Sequence, residues 1–179
     1  NPFEIILSAS LPIDHSIEAV LTFSDGSYQD FQLLNFVIPS YIDVKENNII
    51  TSITSAGRIG YGNAAEQKNG SGFIYDEESI LFEMGLIMGS SATTIFNNVR
   101  SINATYDQDF TPADKITKLT PGERSYSEIV GSFRNAPEIS TASLAVSYRS
   151  LVWNDEPFRD FVIMEYKVKN TSASVIPDF

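Results

Sequence analysis

The sequence predicts an all-β protein in which immunoglobulin-like strands are followed by an antiparallel β-sandwich. Three observations carry that expectation. Apolar residues recur with a period of two in several short runs, Gly, Asn, Asp and Pro punctuate those runs as turns, and no long stretch repeats with the 3.6-residue period of an amphipathic helix. With 179 residues, 42% hydrophobic and 12% aromatic, the chain has ample material for a packed core.

Residues 3–9 (FEIILSA) read as a first strand. In residues 17–23, Ile17, Ala19, Leu21 and Phe23 alternate with Glu18, Val20 and Thr22, which places one set on a core face. Asp25-Gly26 then signals a type I′ hairpin, because Gly adopts positive φ without steric cost. The return strand, 28–38, loses its alternation at Leu33-Leu34, where a bulge would restore register, and Pro39 ends it. Three strands are too few to close a sandwich, so residues 1–42 are expected to form a partial immunoglobulin-like unit. Residues 43–179 are expected to form the β-sandwich domain.

Further strands are predicted over 49–54, 71–75, 80–88, 144–153 and 161–168. The run 80–88 is apolar on both faces apart from Glu83, as in a central buried strand. In 161–168, Val162, Met164, Tyr166 and Val168 share one face, while Glu165, Lys167 and Lys169 share the other. Only 91–99 has room for two helical turns, and its Thr93-Thr94-Ile95 run is β-branched. The apolar segment 175–179 begins what reads as another strand, so the sandwich is expected to be incomplete at its C-terminal end.

Twelve Lys and Arg against 23 Asp and Glu give a net charge of −11, which opposes nucleic-acid phosphate and anionic lipid as partners. Cysteine is absent, which removes disulfides and thiolate metal sites. No run approaches the length of an apolar membrane span, so membrane insertion is not expected.

Gly60, Gly62 and Ala65 match the spacing G-x-G-x-x-[GA] of a dinucleotide-binding turn. Such a turn works by opening a helix onto the pyrophosphate, and residues 63–68 leave room for about a turn and a half before Asn69-Gly70. The stretch therefore reads as β-turns, and no cofactor is expected. Lys68 lacks the glycine that precedes it in a phosphate-binding loop. His15, the only histidine, sits beside Asp14, but no serine lies in a nucleophile-elbow pattern. No catalytic residue is assigned. Among the carboxylates, Asp107 and Asp109 are the weak candidates for a structural calcium, since Asp-x-Asp is a common fragment of oxygen-ligand sites. Acidic turns also occur at Asp76-Glu77-Glu78 and Asp155-Glu156, and a pair of acids acting as a hydrolase stays open as a third possibility. Trp153, Tyr148, Tyr126, Tyr61 and Tyr75 are either core rings or a sugar-binding platform.

Three stretches, ITSITSAGRIGYGN with GSGFIYDEESILFEMGLIMGSS, then YDQDF, then FVIMEYKVKNT, together resemble the β-rich, non-catalytic region that follows the catalytic domain of secreted Bacteroidetes subtilisin-like serine peptidases. The resemblance covers most of the chain and its motifs are structural; none of the subtilisin motifs Asp-Thr-Gly, His-Gly or Gly-Thr-Ser-x-Ala is present. It implies an extracellular or cell-surface, non-enzymatic accessory region acting as spacer, stabilising or substrate-docking module. The implied partners are neighbouring domains of the same polypeptide and a protein or polysaccharide substrate. The alternative is a carbohydrate- or surface-binding module of an exported adhesin or glycan-degrading enzyme.

Overall fold

A computed structural model describes residues 11, 14, 16–62, 69–91, 94–99, 109–135, 143–173 and 175–176. The protein is all-β: fourteen strands and no helix among the described residues, every pairing antiparallel. The chain divides into two compact units, residues 1–40 and 41–179.

In the first unit β1 (Ser16–Asp25) and β2 (Tyr28–Val37) form a hairpin. Its register runs unbroken from Ser16↔Val37 to Asp25↔Tyr28, so the expected bulge at Leu33-Leu34 is absent. Without it, Leu33 stands opposite Val20 on one face and Leu34 opposite Ala19 on the other. The turn also differs from expectation. Gly26 and Ser27 are its central residues, and of the two only Gly26 has positive φ (+60°). That is the pattern of a II′ turn, whose first central position favours Gly, and not of I′. The expected strand at 3–9 lies outside the described residues.

The second unit is sandwich-like. One sheet is a meander of β11 (Phe110–Leu119), β12 (Ser127–Asn135), β13 (Leu144–Val152) and β14 (Ile163–Asn170). The other has six short strands in the order β7 (Glu78–Leu81), β6 (Phe73–Tyr75), β4 (Ile49–Thr54), β5 (Ile59–Gly60), β8 (Glu83–Met84), with β3 (Tyr41–Val44) also paired to β4. β9 (Ile87–Ser91) and β10 (Thr94–Asn97) make a separate two-stranded ribbon. Within the stretch 91–99 that could have held a helix, the described residues Ser91 and Thr94–Asn97 are strand, which suits the β-branched Thr94 and Ile95.

All three sheets contribute to one core. Val44, Ile53 and Ile59 meet Ile129, Phe133, Leu144, Val146, Tyr148 and Val152, with Met88 and Phe96 from the ribbon. Aromatic rings run through it in sequence, Phe96 to Phe110 (6.2 Å), Phe110 to Phe133 (5.0 Å, edge to face) and Phe133 to Tyr148 (6.1 Å). β14 follows its predicted alternation, with Met164 and Tyr166 packed on the core. The run 80–88 does not. It breaks into β7, β8 and the start of β9, and Ile80, Phe82, Met84 and Ile87 are exposed. β7 and β8 are the two ends of their sheet, so only one side of each has a strand neighbour.

Candidate functional site

The most organised polar cluster in the molecule surrounds the arch from Thr54 to Gly62. Arg58 is almost fully buried, and its guanidinium donates to the carbonyls of Tyr61 (3.3 Å), Gly62 (3.2 Å) and Asn98 (3.0 Å). Asn98, also buried, completes the loop by donating to Ala56 O (2.7 Å) and accepting from Leu86 N (2.8 Å). From the facing sheet, Tyr148 donates its hydroxyl proton to Thr54 O (2.9 Å) and Tyr166 to Gly57 O (2.6 Å). At the crown, Gly57 has φ +71°, and a Cβ there would lie 2.5 Å from Phe133 Cε1. This position admits only glycine for two independent reasons.

The electrostatics of the arch are those of a clamp. Burial pushes the Tyr148 phenol up, and pushes that of Tyr166 up to about 12, so both stay protonated donors at neutral pH. A second polar knot lies where β12 and β13 pair. Glu128, fully buried, accepts from Arg149 (2.5 Å) and from the backbone N–H of Arg124 (2.6 Å). Arg149 also reaches Glu123 (2.8 Å), and that hydrogen bond holds the Glu123 carboxyl below its usual range. Lys118 of β11 pairs with Glu46 and donates to Asp43 O (3.2 Å), tying the margins of the two sheets.

Those residues singled out from sequence that are described do not gather into one site. His15 and Asp107 lie outside the described residues. Asp14 accepts from Ser40 N (2.9 Å) within the first unit. Asp109 is nearly buried and its Oδ2 accepts from Asn97 N (3.0 Å), an anchor for the end of β10. Among the described residues no group of three or more His, Asp or Glu side chains is placed to hold a metal ion. Gly60 lies in β5, paired with Glu83, and Gly62 N donates to Asn69 O (2.6 Å). Asn69 and Gly70 both take positive φ, the turn conformation their sequence suggests. The five candidate rings do not form one platform. Tyr148 is core, Tyr61 lies 6.4 Å from Phe82, and Trp153 packs at 6.0 and 5.8 Å from Phe158 and Phe161.

Sequence reasoning missed Arg58, Asn98 and Glu128, because a buried polar residue looks like any surface one until its partners are placed. It also missed β11 and β12. Pro112 interrupts the first, and the pairing of β11 with β12 shifts register twice. No family model, curated protein or solved structure matches the chain.

Proposed function

We propose that the chain is a non-catalytic accessory β-sandwich region of a secreted subtilisin-like peptidase, acting as a spacer and stabilising module beside the catalytic domain. The observation that supports this reading is where the resembling stretches fall. GRIG, at 57–60, forms the arch; Leu86 of LFEMGLIMGSS is bonded to Asn98 beneath it; Tyr166 of FVIMEYKVKNT clamps its crown. Arg58 and Tyr166, both within those stretches, help to hold the two sheets together, as expected where the shared feature is a fold and not a reaction centre.

The test uses the longer polypeptide. The coding sequence upstream should carry the Asp-Thr-Gly, His-Gly and Gly-Thr-Ser-x-Ala stretches of a catalytic domain. Deleting residues 1–179 should lower that peptidase's thermal midpoint and leave its initial rate unchanged. The chain itself should not react with a serine-directed fluorophosphonate. An upstream region without those stretches, or labelling of a serine that His15→Ala abolishes, overturns the reading.

The carbohydrate- or surface-binding alternative draws support from the mutually packed rings of Trp153, Phe158 and Phe161, of which Phe158 and Phe161 are 44% and 38% exposed. Retention on polysaccharide gels that Phe158→Ala abolishes would favour it.

A further inference from the structure

The described cations of this acidic chain are almost all engaged. Lys45, Lys118, Arg124, Arg149 and Arg159 pair with carboxylates, Arg58 is spent on carbonyls, and Lys115 has an interaction of its own. Arg134, Lys167 and Lys169 make no direct ion pair among the described residues, although Lys167 helps to lower the Glu165 carboxyl from two residues away on β14. All three line the same depression, of about 560 Å³, on the outer face of the four-stranded sheet.

Sheet register explains why a groove forms there. Arg134, Ala145 and Lys169 lie in one row across β12, β13 and β14, and Ser132, Ser147 and Lys167 in the next. The small side chains of Ala145 and Ser147 therefore form a floor along β13. Long cationic side chains wall it, Arg134 on one side and the two lysines on the other. Strand spacing puts Arg134 and Lys169 roughly 10 Å apart, and Lys167 and Lys169 about 7 Å apart along the strand. Hydroxyls lie at the margins: Ser143 and Thr171 are bonded to each other (2.7 Å), while Ser132 donates to Asp114. The row beyond Lys167 ends the basic stretch, since Glu165 is there, held by Arg124 and lowered by that bond.

Three cations without a direct ion pair in one concavity, in a chain with a net charge of −11, give the groove a local field opposite in sign to the net charge. An extended peptide repeats its side chains on one face every second residue, about 7 Å apart, which is the spacing of Lys167 and Lys169. We propose that this groove docks an extended acidic peptide, with carboxylates two residues apart meeting Lys167 and Lys169 and another meeting Arg134 across the floor. Arg supplies a planar fork for a carboxylate and Lys a point charge, so both kinds of contact are available. The inference goes beyond the accessory-module reading and does not require it.

The experiment titrates the full chain with a fluorescent peptide alternating Glu and Gly, read by anisotropy at low and at physiological salt. Binding is expected, weakened by salt, and at least about tenfold weaker in the Arg134→Ser, Lys167→Ser, Lys169→Ser triple variant. Lys45→Ser, which removes an exposed cation elsewhere, should bind as the parent does. In the unsubstituted chain, amide chemical shifts should move along β13 and β14, which tests the site even if the triple variant folds poorly. No binding, equal binding by a folded triple variant, shift changes elsewhere, or equal binding of a peptide with its glutamates in one block would overturn the proposal. So would a sulfated polysaccharide that binds the groove while the peptide does not.

Discussion

The β1–β2 hairpin and the β13–β14 pair share a sequence pattern and differ in what they do with it. Both alternate apolar and polar residues, and both keep unbroken antiparallel register. In β13 the alternation becomes burial, with Leu144, Val146, Tyr148 and Val152 inside the core. In the hairpin the predicted core set gets only part of the way, with Ile17, Ala19 and Leu21 half-buried and Phe23 exposed, while Val20, Phe31, Leu33 and Val37 on the opposite face are all more than half exposed. A period of two sets which side chains share a face. Whether that face is dry depends on a second layer, which is a property of distant sequence. The second unit has such a layer and a set of buried hydrogen bonds that fix its position.

The arch is the sharpest place to break this contrast. Gly57→Ala must put a methyl group into the ring of Phe133 while holding a positive φ that Ala disfavours. The two penalties together come to about 3 kcal/mol or more. The only tryptophan, Trp153, lies in the second unit, so urea denaturation followed by its fluorescence reads that unit directly. A loss under about 1 kcal/mol would show that Phe133 yields easily and that the arch is not tightly packed.

The clamping tyrosines come next. Tyr148→Phe and Tyr166→Phe each leave one buried carbonyl without its hydroxyl donor, at about 1–2 kcal/mol each. Both phenols have folded-state values raised above the ordinary 10 by burial, that of Tyr166 to about 12. Above pH 10 the unfolded chain releases these protons and the folded chain keeps them. Stability is therefore full below pH 10 and falls as pH rises from 10 towards 12. Denaturation midpoints measured from pH 8 to 11.5 should decline, less steeply in each Phe variant. A pH-independent midpoint in the parent would show that these hydroxyls are not buried. At the acid end the sign reverses. The Arg149 bond to Glu123 and the Arg124 bond to Glu165 lower both carboxyls from their ordinary 4.5, so what they contribute is present above that pH and lost below it.

How much of this was legible from sequence follows the same division. The all-β class was legible because alternation and turn chemistry are local, and β4, β13 and β14 appeared close to their predicted places. The run 80–88 misled because continuous apolarity marks a buried strand only if neighbours flank it, and here its pieces lie at sheet ends. The arch was half legible. Its glycines were read as turns, but the turn is organised by Arg58, a residue that carries no sign of burial in its own neighbourhood. Asp109 shows the converse, since its sequence suggests an oxygen ligand and gives no sign of the hydrogen bond it accepts from Asn97 N. The groove was the least legible, because Arg134 joins Lys167 and Lys169 only through β12, a strand not foreseen.

The smallest effect is expected on the hairpin. Phe31→Thr and Leu33→Thr remove two large apolar groups from its exposed face and put in a β-branched residue that suits a strand. Because both side chains are already in water, the transfer term that dominates core substitutions is nearly absent, and the change should stay within about 0.5 kcal/mol. The readout has to see this unit, which contains no tryptophan, so amide hydrogen exchange of peptides spanning 16–37 is the suitable measurement. Those peptides should exchange far faster than peptides from β12 and β13, at the same rate in parent and double variant. Slow exchange in the parent that the double variant accelerates would mean that Phe31 and Leu33 are covered in solution. The contrast between the two units would then lie in their partners and not in their burial.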